Sequence, residues 1–256
     1  MSFPRSFLLA LWLASTLMAA AAPANDPLAA ASPAAPQPTQ AATGTTPDRF
    51  RDYSPDQFRQ LDSARQEIDP ANFDEELLSA AIFQETNQRR ADLKLLAFGF
   101  DATVRAAARK HSDQMAKGNY LSHDSTPDQP KNTTPYDRLV QAGLQPHMVA
   151  ENIAFNFLLD YDPSKPFYAR QEDDHTVYSY QPDGEPLRRH TYVSFAQAIV
   201  TQWMNSPPHR ENLVNPDLRF LGVGCALRQE ANSLDTIYAD QDFFTPMPPP
   251  TSLQAH

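Results

Sequence analysis

At 256 residues the chain is long enough for one good-sized domain with appendages, and 31 acidic against 21 basic side chains leave a formal net charge of −10. An acidic surface of that size repels phosphate backbones and anionic lipid headgroups alike, which excludes nucleic acid as a partner and charge-driven adhesion to membranes. The single cysteine, Cys225, rules out an internal disulfide, so stability has to come from packing.

Met1 to Ala24 has the pattern of a secretory signal: a basic start at Arg5, an apolar run and the small residues Ala22 and Ala24 before an expected cut after Ala24. The apolar run, Phe7 to Ala22, is 16 residues, short of the ~20 that span a bilayer. No cysteine follows it to carry a lipid anchor. Residues 25–53 form an Ala/Pro-rich linker with almost nothing to bury. Ser54-Pro55-Asp56-Gln57 then supplies a cap, a first-turn proline and a reciprocal glutamine. These predict an accessory helix over 54–70, with Phe58, Leu61 and Ile68 on one face, packed onto the main domain.

Asn72 with Glu75 predicts the next helix start, with Leu78, Ala81 and Ile82 as its apolar stripe and Arg89-Arg90 as its charged end. Asp101 caps another helix that carries Val104, Ala108, His111 and Met115 along one side and ends at Gly118-Asn119. A histidine on such a stripe reads as a core residue hydrogen-bonded to a neighbour. His123 instead falls in the loop just beyond, where packing does not account for it. Thr134-Pro135-Tyr136-Asp137 opens a short helix that Gly143 closes. Glu151 stands at the centre of the apolar run Val149 to Phe155. A carboxylate so placed must be paired, metal-bound, shifted in pKa, or bonded to backbone amides that order its segment.

Residues 158–192 read as an insertion, in which Val177–Tyr180 and Arg189–Val193 flank Pro182-Asp183-Gly184 and predict a β-hairpin whose aromatics line a groove edge. His175 and His190 show no metal-ligand spacing and read as surface residues. Ser194 with Gln197 forms a capping box ahead of Phe195, Ile199 and Trp203, the buried stripe of a short helix. Pro207-Pro208 ends that helix, which puts His209 on a loop based on a buried tryptophan. Leu221 to Leu227 reads as a buried strand in which Gly222 and Gly224 leave room for another backbone and Cys225 is a small core residue. Thr236 to Phe244 is the last strand, and 247–256 is a tail.

Trp203-Met204-Asn205-Ser206, His209-Arg210-Glu211-Asn212-Leu213 and Gly222-Val223-Gly224 together resemble the signature of bacterial CAP-domain proteins. These are the prokaryotic branch of the cysteine-rich secretory protein, antigen 5 and pathogenesis-related superfamily. Asn119-Tyr120-Leu121-Ser122-His123 and Ala150-Glu151-Asn152-Ile153-Ala154 match two further motifs in the required order, and the resemblance runs from about Asn72 to Phe244. Ala150 and Pro208 stand where the family usually has glycine, a change of loop shape that removes no functional side chain.

The resemblance implies an α+β fold, a three-layer α/β/α sandwich over 71–246, with a cleft on one rim where His123 and His209 face each other beside Glu151. Two imidazoles and one carboxylate can bind a divalent metal and leave positions open. Zn2+ is the expected ion, because Asn205-Ser206 replaces a second glutamate of many relatives and lowers the negative charge a hard cation needs. The implied function is that of a secreted or periplasmic monomer binding a small ligand or cell-envelope component, with no defined reaction. Two alternatives stay open. One is a hydrolase of peptidoglycan or peptides, with Glu151, His123 and His209 catalytic, directly or through a metal-bound water. The other is lipid or sterol binding. The chain has no G-x-S-x-G, H-E-x-x-H or catalytic-cysteine motif.

Overall fold

The computed structural model describes residues 47–125, 134–172, 175–230 and 233–248. The expected signal segment, most of the linker and nearly all of the tail lie outside these residues.

Two short helices, α1 (Pro55–Arg59) and α2 (Asp62–Arg65), replace the single accessory helix expected over 54–70. The capping box of Ser54 and Gln57 forms as expected, but the chain turns extended at Leu61. A straight helix would have aligned Leu61 with Phe58; the bend instead buries Phe58, Ala64 and Ile68 in the main core. Burial of three side chains outweighs the local preference for one continuous helix. Next comes α3 (Glu75–Asp92), capped by Asp74 rather than Asn72, since Asn72 is used in a 3-10 turn opened by Asp69. The Asp74 carboxylate also holds Arg49 at 2.8 Å.

The main sheet has strand order β1-β5-β6-β2, from β1 (Gly99–Phe100), β2 (Pro146–Phe157), β5 (Phe220–Arg228) and β6 (Thr236–Pro246). Of its pairings, β1 with β5 is parallel and the other two are antiparallel. Its glycines explain how the layers meet. A Cβ on Gly222 would stand 2.1 Å from the backbone nitrogen of Arg105, and one on Gly224 2.2 Å from that of Arg109. Both arginines belong to α4 (Ala102–Gly118), which therefore lies directly on this face. Register then assigns sides: Glu151 pairs with Asp242 and Asp242 with Gly222, while Ile153 pairs with Asp240 and Asp240 with Gly224. Side chains opposite one another share a face, so Glu151, Asp240 and Asp242 all look toward α4. The α5 helix (Pro135–Gln141) packs beside it against β2.

On the opposite face Leu221, Val223 and Cys225 meet α3, α6 (Tyr192–Asn205) and α7 (Pro207–Val214), with Leu78, Ile82, Phe195, Ile199 and Trp203 in the same buried cluster. The three-layer α/β/α arrangement is thus present. Cys225 is fully buried, and burial pushes its thiol far up, so it behaves as a small core residue. Among the described residues no helix is long and apolar enough to cross a membrane.

Four local expectations need correction. The α6 capping box is Thr191 with Ser194, one turn before the expected pair, and it allows Tyr192 to enter the core with its hydroxyl accepting from the Asp74 amide at 3.1 Å. Pro207 and Pro208 do not leave His209 on a loop. They occupy the first turn of α7, where a missing N–H costs nothing, and His209 is the third residue of that helix. In the insertion the hairpin pairs β3 (Tyr168–Glu172) with β4 (His175–Ser179), one strand earlier than expected. Gln181 to Gly184 is a turn, and among the described residues the chain beyond it adds to β4 one backbone bond, from Leu187 to Tyr178. Arg170 favours this pairing by holding both the Ser179 hydroxyl and the Gly184 carbonyl. His190, expected at the surface, is buried, with Nδ1 3.0 Å from the Ser194 hydroxyl and its backbone bonded to Leu158 and Ile68.

Candidate functional site

Helix α4 ends at Asn119, whose left-handed conformation (φ 50°) turns the chain and whose amide closes on Met115. The Tyr238 hydroxyl donates to the Asn119 side chain at 2.9 Å, fixing the turn to β6. This delivers His123 to the rim, its side chain 55% exposed, with Nδ1 2.5 Å from Oε2 of Glu151. The carboxylate of Glu151 is itself only 1% exposed. Its Oε1 accepts from Arg138 of α5 and lies 3.2 Å from Nδ1 of His111. His111, from the middle of α4, places the same Nδ1 2.9 Å from Oδ2 of Asp240. Arg138 also donates to the His123 backbone carbonyl at 2.9 Å, so one guanidinium grips the acid and the loop that carries its histidine.

The electrostatics follow from this crowding. Burial opposes a charge on His111, yet its bonds to Asp240 and Glu151 overcome that and raise it to about 9. His123 is raised chiefly by its bond to Glu151. Burial also works against the Glu151 charge, but the bonds from His111 and His123 and the nearby Arg138 hold it below the usual carboxylate range. Asp240, buried and facing the Glu151 charge, is pushed up to about 6. Asp242 is raised well above its ordinary value by burial first and then by the charges of Asp240 and Glu151.

His209 approaches from the other helical layer. Its backbone carbonyl accepts from Asn152 at 3.2 Å, and Asn212 of α7 donates to both the Asn152 side chain (2.9 Å) and the Glu151 carbonyl (3.2 Å). Asn152 continues through Gln241 to Thr86 of α3. The half-buried His209 ring is lowered in pKa by burial and then by the His123 charge. Of the three residues expected at the site, His123 and Glu151 are thus in direct contact, and His209 flanks the same two residues of β2 from the opposite side of the sheet.

The profile of the cysteine-rich secretory protein family, CAP, matches residues 83–239, more than half of the chain. The chain belongs to the CAP family. The Bacillus subtilis (strain 168) protein YkwD, described only as uncharacterized, is 25% identical over 143 residues, a stretch covering 56% of this CAP chain and 40% of YkwD. An extracellular protein containing a SCP domain from Bacillus anthracis str. Ames aligns with 25% identity and a TM-score of 0.42, over 66% of this chain and 41% of that one. An outer surface protein from Borrelia burgdorferi aligns with 17% identity and a TM-score of 0.40, over 65% of this chain and 90% of that one. The CAP chain spans less than half the length of YkwD and of the B. anthracis protein.

Among the described residues of this CAP domain, one group of side chains has the spacing to hold a metal ion: ligand atoms of His111, Glu151 and Asp240 all lie within 4.8 Å of one another. Sequence reasoning assigned His111 a hydrogen-bonded core role, which it has, but missed its two carboxylate partners. It also missed Arg138, Asp240 and Asp242, and the Asn152–Asn212–Gln241 relay. The signal that exposed Glu151 was present for the others, because Asp240-Gln241-Asp242 interrupts the apolar run from Ile237 to Phe244 in the same way.

Proposed function

We propose that this is a secreted or periplasmic CAP-domain protein whose rim cleft, between His123 and His209, binds a small ligand or cell-envelope component with a divalent ion, Zn2+ first, at the imidazoles. The observation that carries this reading is the 2.5 Å contact between His123 Nδ1 and Glu151. A histidine whose inner nitrogen donates to a fixed carboxylate has its tautomer set and its outer nitrogen left for a metal or ligand, the arrangement found behind many metal-bound imidazoles.

The donors fit an ion in part. Burial shifts His209 toward the neutral form that can ligate, whereas Glu151 already accepts from Arg138, His111 and His123. At the rim, where Oε2 is taken by His123, Glu151 therefore suits the role of orienting that ring better than that of a first ligand, and His123 and His209 would hold the ion there. A bound ion there would act as a Lewis acid toward a ligand carbonyl or phosphoryl oxygen. His123 keeps its Nδ1 proton toward Glu151, Arg138 fixes both, and Asn152 and Asn212 hold α7 and with it His209 in place. The lowered pKa of His209 also supports a second reading, a hydrolase in which that ring serves as general base. Lipid or sterol binding finds no comparable support.

Calorimetric titration of the protein with Zn2+ is the test. Heat is expected for wild type and a loss of about tenfold or more in affinity for His123→Ala and His209→Ala. Equal heats in all three would remove the ion from the cleft. Affinity in wild type should also fall as pH drops, since the His123 ring must give up its outer proton to bind. Release of peptide or glycan fragments that stops in His209→Ala would favour the hydrolase.

A further inference from the structure

Behind the His123–Glu151 contact, three carboxylates are buried together between α4 and the sheet. Glu151 and Asp242 are register partners on adjacent strands, and Asp240 is the next residue of β6 on the same face. All three are buried. Donors do not suffice for them. Glu151 accepts from Arg138 and His123 and faces His111, while Asp240 is reached through Oδ2, by His111. Oδ1 of Asp240 and both carboxylate oxygens of Asp242 have no hydrogen-bond partner among the described residues. Buried acceptors in that state require a proton, a water or a cation.

Three atoms already have the spacing of a coordination shell. His111 Nδ1 lies 3.2 Å from Glu151 Oε1 and 2.9 Å from Asp240 Oδ2, and one ligand atom from each of the three residues lies within 4.8 Å of the other two. Donors arranged around an ion at ~2.0–2.5 Å are separated by about these distances. Asp242, fully buried, stands on the same face, and the positive charge that acts on it is Arg138, which already binds Glu151.

We propose that this pocket is a second, structural cation site, in which a divalent ion is held by His111 Nδ1, Glu151 Oε1 and Asp240 Oδ2 while the neighbouring Asp242 carboxylate balances its charge. The proton on His111 Nδ1 leaves to solvent as the ion enters. One imidazole with carboxylates and no sulfur is a mixed donor set suited to Zn2+ or Mn2+ rather than to Ca2+ or Cu+. The site is separate from the rim cleft, because it is buried and makes no use of His209. Glu151 is the one residue common to both.

The test uses the full chain stripped with EDTA, then followed by Mn2+ electron paramagnetic resonance and by thermal melting with Zn2+ or Mn2+. With ion at ~100 times its dissociation constant, the melting temperature is expected to rise by about 5–10 °C. His209→Ala should lose only the share of that rise contributed at the rim and keep the remainder. Asp240→Asn and His111→Gln, both close in shape to the original, should weaken ion binding by about tenfold or more. Should those two fail to fold, Asp242→Asn removes a charge without removing a direct ligand, and it too should weaken the ion response. Indifference of the wild-type melting temperature to both ions would overturn the proposal. So would a response kept in Asp240→Asn and lost in His209→Ala, since the ion would then be at the rim and the cleft reading would stand alone.

Discussion

His111 shows how far a neighbourhood can move one side chain. Its ordinary value is 6.5 and its folded value about 9, so the bound proton stabilises the fold in full below pH 6.5 and that contribution is lost as pH rises through about 9. Asp240 is also raised, from 3.8 to about 6, but what its proton contributes is already gone at neutral pH. In the metal-free protein, urea unfolding should therefore show stability falling by about 3 kcal/mol between pH 6.5 and 10. His111→Gln should flatten that profile; an unchanged slope in the variant would place the titrating group elsewhere. At this scale the sequence was legible wherever a residue contradicted its surroundings. Glu151 in an apolar strand announced a need for partners. Which partners it found depends on the register of β2 with β6 and on the seat of α4, and neither is written in local spacing.

Helix α4 can seat so deeply because β5 presents hydrogen atoms where other strands present side chains. Gly222→Ala would put a methyl 2.1 Å from a backbone nitrogen of the helix, and no rotamer change can relieve a clash with main chain. The helix would have to lift, taking His111 from Asp240. A loss of about 3 kcal/mol or more is expected in urea unfolding, together with loss of the His111 pH dependence. An alanine variant of wild-type stability would mean that α4 does not rest on this face. The close approach was legible in the Gly222-Val223-Gly224 spacing. Helix limits were less so, because capping sequences recur. Thr191 with Ser194 and Ser194 with Gln197 both satisfy the rule, and only the burial of Tyr192 chooses between them. A pair of prolines likewise reads as a stop or as a start, and here it begins α7.

For the whole molecule, the insertion is an attachment rather than a support. Among the described residues its strands pair with each other and not with the main sheet, and the chain leaves and rejoins the body at neighbouring points, with Asp160 bonded to Arg188 and Leu159 bridged to Arg189. Replacing residues 161–187 with a short glycine turn should change the melting temperature by no more than a few degrees and leave zinc heats as they are. A collapse in either would make the hairpin part of the domain proper. Family resemblance made the layered architecture legible, and pattern alone placed most helices. The hairpin register was not legible, because Tyr168 to Glu172 has little of the alternating apolar pattern by which strands are recognised.

His123 belongs to the layer above the sheet and His209 to the layer below, with the outermost strand, β2, running between them. Any guest held by both rings bridges the two layers at the edge of the sheet and works as a rivet there. Its grip then depends on how little the two layers slide past each other, so substitutions in the buried Asn152–Gln241–Thr86 chain should loosen it by letting one jaw drift.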